Sequence, residues 1–185
     1  DSDYAIVIHG GAGTVIRENT PKELQKKYED KLREALEVGY SILESGGSSV
    51  DAVEKTIKIL EDSELFNAGK GSVLTNEETV EMDASIMTGS DLNAGAVATL
   101  KTIKNPISAA RAVMEKSKHV FLSGKGAENF AVDNGLETVN NNYFITEKQL
   151  KQIRKIKENK YGTVGCVALD KSGNIKAGTS TGGMM

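Results

Sequence analysis

The segment YGTVGCVALDKSGNIKAGTSTGG, residues 161–183, constrains the fold more than any other part of the chain. Its apolar run from Val164 to Leu169 is typical of a buried strand, and Lys171–Asn174 has the composition of a tight turn. The pattern resumes over Ile175–Thr179 as a returning strand. The segment therefore predicts an antiparallel hairpin.

The hairpin places two hydroxyl side chains together. If Asp170 and Asn174 close the turn, antiparallel pairing puts Thr163 opposite Thr181, about 5 Å apart at one end of the sheet. A single Thr in a strand needs no functional explanation, because Thr favours strands. A glycine before the first Thr and a glycine pair after the second favour a functional role, since glycine lets a ligand approach the backbone.

Length and charge restrict the class of protein. The chain has 185 residues, enough for one domain with its own core. With 23 basic and 26 acidic residues, it lacks the basic surface of a nucleic-acid binder, so we expect no nucleic-acid partner and a small-molecule or peptide substrate. No apolar run is long enough to cross a membrane. The sequence does not begin with Met, so the compartment stays open between cytoplasmic and exported.

The single cysteine, Cys166, excludes an intramolecular disulfide and a cysteine-rich zinc site. As a nucleophile it would need a histidine nearby, and the candidates are His9 and His119. Its place in an apolar run predicts a small core residue instead.

The remaining pattern predicts helices packed on a sheet. Strand and helix signals are grouped and do not alternate strictly, which favours the α+β class over a doubly wound parallel fold. Predicted strands cover Tyr4–Ile8, Thr79–Met87, Asn93–Leu100 and His119–Leu122, and predicted helices begin at Pro21, at Ser48 or Ser49, at Pro106 and at Gly126. The charged segment from Thr146 to Lys160 is consistent with a solvated helix or a linker, and it exposes the connection before Gly162.

Three other motifs are ambiguous when taken alone. HGGAG at residues 9–13 could hold an anion on its backbone, but it matches neither the dinucleotide nor the P-loop pattern. Asn67, in FNAGKGS, could cap a turn or point into a site, and the turn is the commoner role. Asp83, in EMDAS, has no acid/base partner at suitable spacing, so we interpret it as a structural hydrogen-bonding group.

The chemistry of Thr163 depends on a base. No His or Lys lies in the adjacent strand residues, but an N-terminal Thr can use its own α-amino group, whose ordinary pKa of about 7.7 to 8.0 suits that role. That amine exists only if the bond after Gly162 is cut. Attack of the Thr163 hydroxyl on the Gly162 carbonyl would cut it through an ester, and glycine tolerates the strained backbone that this attack requires.

Taken together, the motifs resemble the plant-type asparaginase and isoaspartyl peptidase family of N-terminal-nucleophile hydrolases. The resemblance covers residues 4–183 and is carried by an ordered set of motifs: HGGAG, LEDSELFNAGKGSVLT, EMDASIM, AGAV, KNPISAARAVMEKSKHVFLSGKGAENFA, GTVGCVALD and TSTGG. It implies an αββα sandwich made by a single self-cleaving domain. Residues 1–162 would be the α-subunit part and residues 163–185 the start of the β-subunit.

The resemblance also implies residue roles. Thr163 would be the nucleophile, Thr181 a second hydroxyl that supports it, and Asn67 a contact of the nucleophile. Self-cleavage would separate Gly162 from Thr163. The backbone turns at the site would be those of Gly10, Gly11, Gly182 and Gly183.

A structural sodium ion is implied as well, with no organic cofactor. Its ligands would be the backbone carbonyls of Leu60, Glu61, Ser63, Phe66, Ala68 and Lys70. In the resembled family the chain continues past TSTGG with an Arg and Asp segment for the substrate and a Thr-Gly segment for the oxyanion hole, neither of which is in this sequence. We therefore expect a remaining β-subunit segment as a partner, and a dimer of αβ heterodimers.

The function implied is an amidohydrolase acting on L-asparagine and β-aspartyl dipeptides. Three alternatives stay open at this point. Two keep the fold and change the substrate, to glycosylated asparagine or to a protein cleaved by a threonine endopeptidase. The third is a non-catalytic uncleaved precursor or fragment.

Overall fold

The computed structural model describes residues 4–11, 18, 20–155 and 163–182. The strands are β1 (Ala5–His9), β2 (Met82–Thr88), β3 (Ala94–Leu100), β4 (Phe121–Ser123), β5 (Val164–Leu169) and β6 (Ile175–Gly182). The α-helices are α1 (Lys22–Glu44), α2 (Ser49–Glu61), α3 (Pro106–Lys116), α4 (Gly124–Asp133) and α5 (Glu147–Lys155), and a 3-10 turn covers Asn141–Tyr143.

The helix boundaries follow from local chemistry. Helix α1 follows Pro21 and ends where Gly46 adopts φ 86°, a left-handed conformation that glycine accommodates at a helix end. Ser48 caps α2 by accepting a hydrogen bond from the Asp51 N–H at 3.2 Å. Pro106 occupies the first turn of α3, where its missing N–H costs nothing. The predicted starts of these helices are confirmed.

Three other elements begin two or three residues from the predicted start, and one of them is α4, which begins at Gly124 and not at Gly126. The strand predicted from Thr79 begins at Met82, because Thr75 and Thr79 close a local turn with a backbone hydrogen bond of 2.8 Å. The strand predicted from His119 begins at Phe121, because the His119 N–H is bound to Ser117 Oγ at 3.0 Å. Of the charged segment, Glu147–Lys155 is helical, and residues 156–160 lie outside the described residues.

The six strands form one sheet in the order β1-β5-β6-β2-β3-β4. Every neighbouring pair is antiparallel except β3 and β4. The predicted α+β class is confirmed. The hairpin β5–β6 lies inside this sheet, between β1 and β2, so residues 163–182 are an integral part of the same domain as the preceding residues.

Helices α2 and α3 pack against one face of the sheet at glycines. A Cβ at Gly178 of β6 would lie 2.7 Å from Val53 Cγ1, and one at Gly95 of β3 would lie 2.1 Å from the Ala110 carbonyl oxygen. The helices therefore approach the sheet more closely than side chains would allow. Arg111 of α3 ties the two helices together with ion pairs to Asp51 and Glu54.

The opposite face of the sheet is open in the described part of the chain. Val7, Met87, Val167 and Ile175 are 70%, 43%, 48% and 52% exposed on it, beside a groove of about 400 Å³. The described residues thus supply one α layer and one β layer of the predicted αββα sandwich. None of the described helices is both long and apolar enough to cross a bilayer.

Gly95→Ala tests the close packing of α3. The added methyl would meet the Ala110 carbonyl oxygen and the Met114 backbone nitrogen, so we expect a loss of about 1–3 kcal/mol in the free energy of unfolding, measured in urea. Gly126→Ala in α4 is the matched control, because no atom lies within 4 Å of its added methyl. That variant should be stabilised by about 0.5–1 kcal/mol. Equal stability of the two variants would contradict the packing.

Candidate functional site

The hairpin brings the two predicted threonines into contact. Val164 pairs with Ser180, which places Thr163 directly opposite Thr181. The Thr163 hydroxyl donates a hydrogen bond to Thr181 Oγ1 at 3.1 Å, and both residues are partly buried. The predicted juxtaposition is confirmed, whereas the catalytic roles of the two residues stay predictions.

Asp170 sets the register that makes this contact. Its carboxylate accepts hydrogen bonds from the backbone N–H groups of Ser172 and Asn174, at 3.0 and 2.9 Å, and its own N–H donates to the Asn174 carbonyl. Burial opposes ionisation of Asp170, but the hydrogen bonds from Asn174, Ser49 and Ser172 outweigh burial and hold the pKa of Asp170 below its usual value. The turn is therefore fixed by an ionised, fully bonded side chain.

Asn67 lies beside the end of β6. Its backbone carbonyl accepts the Gly182 N–H at 3.1 Å, its side-chain nitrogen lies 3.4 Å from the Gly182 carbonyl oxygen, and its Oδ1 accepts the Val73 N–H at 2.8 Å. A Cβ at Gly182 would lie 2.5 Å from both Asn67 Oδ1 and Ser72 Cβ. Glycine is thus required at position 182. Asn67 is held against Gly182, the residue that follows Thr181 in the chain.

The glycine turn after β1 packs behind this loop. A Cβ at Gly10 would lie 2.7 Å from Phe66 Cε1, and Phe66 precedes Asn67. Gly11 adopts φ 130°, outside the range that other residues favour. The structure therefore links Gly10 to the site through Phe66. Gly162 and Gly183 lie outside the described residues.

Two glycines bring the loop that follows α2 close to its own backbone carbonyl oxygens. A Cβ at Gly69, where φ is 53°, would lie 2.3 Å from the Glu61 carbonyl oxygen, and one at Gly71 would lie 2.7 Å from that of Phe66. A donor set of neutral carbonyl oxygens suits a hard cation such as sodium. The sodium site, with the backbone carbonyls of residues 60–70 named above as its ligands, stays a prediction.

Cys166 is a core residue, as predicted. It is 2% exposed, and burial raises the pKa of its thiol to about 12. His9 is paired with Gly165, and a Cβ on Gly165 would lie 2.5 Å from His9 Nε2, so the His9 ring lies over Gly165 on the open face. Cys166 faces the helices on the opposite side of the sheet, since adjacent strand residues alternate. The two residues do not form a nucleophile–base pair.

Sequence reasoning missed a buried polar group beneath β6. Glu61 is fully buried, and burial raises the pKa of its carboxyl to about 8, although the Ile107 N–H donates to Oε1 at 3.0 Å. The Ser180 hydroxyl and the Asn105 side chain lie against the Glu61 carboxyl and partly oppose that rise in its pKa. Its position in the sequence could have indicated this burial, because Glu61 follows Ile57 by four residues and therefore lies on the buried face of α2.

Comparison with known proteins gives a consistent family match. The Asparaginase family pattern matches residues 2–161 and again residues 152–185. The mouse isoaspartyl peptidase/L-asparaginase is 48% identical over 195 residues, which cover 100% of this chain and 59% of that protein. The isoaspartyl peptidase/L-asparaginase of Bos taurus is 45% identical over 190 residues, which cover 97% of this chain and 60% of that protein. The isoaspartyl peptidase of Escherichia coli (strain K12) is 43% identical over 195 residues, which cover 97% of this chain and 61% of that protein. The chain thus spans about three-fifths of the length of these curated relatives.

Gly182→Ala tests the contact between Asn67 and β6. The added methyl would collide with Asn67 Oδ1 and with Ser72, so we expect a loss of about 1–3 kcal/mol in the free energy of unfolding. Ala177→Ser, at an exposed position of the same strand, is the control and should stay within about 0.5 kcal/mol of the wild type. A Gly182→Ala protein as stable as its control would show that the loop does not press on the strand.

Proposed function

Because the chain belongs to the asparaginase family, we propose that it carries the nucleophile of an amidohydrolase that cleaves L-asparagine and β-aspartyl dipeptides. The observation that carries the proposal is the 3.1 Å hydrogen bond from the Thr163 hydroxyl to Thr181 Oγ1, at the end of a rigid hairpin. The names of the relatives, isoaspartyl peptidase and L-asparaginase, support this choice of substrates.

The first step proposed is self-cleavage. The Thr163 oxygen attacks the Gly162 carbonyl carbon, the C–N bond breaks, and the hydroxyl proton passes to the departing nitrogen. The peptide bond becomes an ester, which water hydrolyses to a Gly162 carboxylate and a free Thr163 α-amine. Thr181 is placed to orient the attacking hydroxyl, because its oxygen accepts the hydrogen bond from Thr163.

The second step proposed is turnover. The freed amine takes the Thr163 hydroxyl proton, and the oxygen attacks the carbonyl carbon of the substrate's side-chain amide. The amide C–N bond breaks, the amine returns the proton to the leaving ammonia or amino acid, and an ester forms on Thr163. Water then releases aspartate. The absence of a paired cysteine and histidine among the described residues favours the α-amine as the base.

We propose that Asn67 and Gly182 line the substrate pocket, since they frame the end of β6 at which Thr181 lies. Gly10 would support that wall through Phe66.

We also propose a covering segment. About two-fifths of the relatives' own length lies outside the part that this chain matches, and an apolar sheet face is open beside Thr163. Burying its exposed Val, Met and Ile side chains would stabilise the assembly by about 25 cal/mol for each Å² of apolar surface removed from water. We propose that the remaining β-subunit segment covers this face. We also propose that the complete unit assembles as a dimer of αβ heterodimers, so light scattering should give the mass of that assembly.

The assay of function compares the wild type with Thr163→Ala, each supplied with the covering segment. The wild type should release ammonia from L-asparagine and aspartate from a β-aspartyl dipeptide, and Thr163→Ala should release neither, because it lacks the attacking oxygen. Thr75→Ala removes a hydroxyl that bonds the Thr79 hydroxyl at 2.8 Å and the Thr79 N–H; this variant is the control and should retain turnover. Turnover by Thr163→Ala would contradict the proposal, and wild-type activity without the segment would contradict the role of the segment.

We propose that the 60–70 loop binds sodium and that the ion stabilises the fold by joining backbone carbonyls of the loop. Thermal unfolding in sodium chloride should occur at a higher Tm than in tetramethylammonium chloride of equal concentration. At tenfold over the dissociation constant, the gain would be about 1.4 kcal/mol. Gly69→Ala, which places a methyl against the Glu61 carbonyl, should lose the difference between the two salts. An equal Tm in both salts for the wild type would contradict the site.

A further inference from the structure

Asp83 lies in the same row of the open sheet face as the threonine pair. Asp83 of β2 pairs with Thr181 of β6, and Thr181 is opposite Thr163 of β5. Directly opposed residues of antiparallel strands project from the same face, with Cβ atoms about 4.5–5.5 Å apart. Thr181 is therefore flanked by the predicted nucleophile on one side and by a carboxylate on the other.

An irregularity in the neighbouring strand holds this carboxylate. The pairing of β2 with β3 shifts between Met82 and Ala84, so that β3 bulges opposite Asp83. In the bulge, Thr99 adopts φ 55°, which is unfavourable for a β-branched residue. The Thr99 N–H donates to Asp83 Oδ1 at 2.8 Å. A strained bulge of this kind beside a candidate nucleophile points to a functional constraint on Asp83.

Asp83 places a second acceptor group on the side of Thr181 that faces away from Thr163. Thr181 Oγ1 accepts the Thr163 hydroxyl, so the proton of Thr181 must point away from Thr163. In the structure that proton is directed to the Gly182 carbonyl oxygen at 3.1 Å. A carboxylate one strand away offers a stronger, charge-assisted acceptor for the same proton. Oδ2 of Asp83 accepts no hydrogen bond from any residue that the structure describes, and it is therefore available for this role.

We propose that Asp83 is a positioning residue that orients the Thr181 hydroxyl, so that the Thr181 oxygen keeps its lone pair toward Thr163. The inference rests on the proposed function of Thr163. Asp83 acts through Thr181 and touches neither the substrate nor Thr163. Its loss therefore slows the chemical step and leaves substrate binding largely intact.

The experiment uses the protein supplied with its covering segment and compares Asp83→Ala, Asp83→Asn and Asp91→Ala. Asp91 is the matched control, because it is a carboxylate of the same β2–β3 hairpin that bonds Thr88 and the Asn93 N–H at the opposite end. We expect Asp83→Ala to lower kcat for L-asparagine about tenfold or more while KM changes less than about twofold. Asp83→Asn, which keeps an acceptor oxygen, should recover most of kcat. Asp91→Ala should keep the wild-type kcat.

A second measurement tests the inference independently of turnover. The χ1 rotamer of Thr181, followed by methyl NMR, should redistribute in Asp83→Ala and stay fixed in Asp91→Ala. Wild-type kcat in Asp83→Ala, or an unchanged Thr181 rotamer, would overturn the role of Asp83. A wild type that hydrolyses neither substrate, with the rotamer responding as expected, would instead overturn the proposed function and leave the positioning role supported.

Discussion

The site depends on the hydrogen-bonded turn at Asp170. Side-chain periodicity in a strand is two residues, so a slip of one residue in the β5–β6 pairing would send Thr163 and Thr181 to opposite faces of the sheet. Asp170 prevents that slip because its carboxylate accepts the N–H groups of both Ser172 and Asn174. It is also bonded to Ser49 of α2 at 3.3 Å, so the turn is attached to the helix layer. The contact between the two hydroxyls at the far end of the hairpin is a consequence of this register.

Glycines bring the surrounding loops close enough to form the site. Gly182 allows Asn67 to reach the end of β6, and Gly10 allows the turn after β1 to pack on Phe66. Gly178 lets α2 lie against the centre of β6. In each case the contact is between a side chain and bare backbone, which fixes the position of the strand that carries Thr181 without adding a group that could compete with a substrate.

The features that the sequence predicts well are those with local causes. The Thr163–Thr181 pair follows from the composition of the turn between the two strands and from the alternation of side chains along a strand. The start of α2 follows from the Ser48 cap. The place of Asp83 could not be predicted, because it depends on β2 being the neighbour of β6, a pairing between segments that are distant in the chain. Burial of the Glu61 carboxyl and exposure of the open sheet face likewise depend on how the helix layer packs on the sheet. The catalytic roles rest on family resemblance and remain predictions.

The central claim is that this hairpin assembles a threonine able to free its own amine. The most direct test is the intact mass of the denatured wild-type protein, supplied with its covering segment, after a day at neutral pH. We expect two polypeptides, one of them beginning at Thr163. A single uncut chain from a correctly folded protein would contradict it, because the nucleophile would then have no α-amine to act as its base.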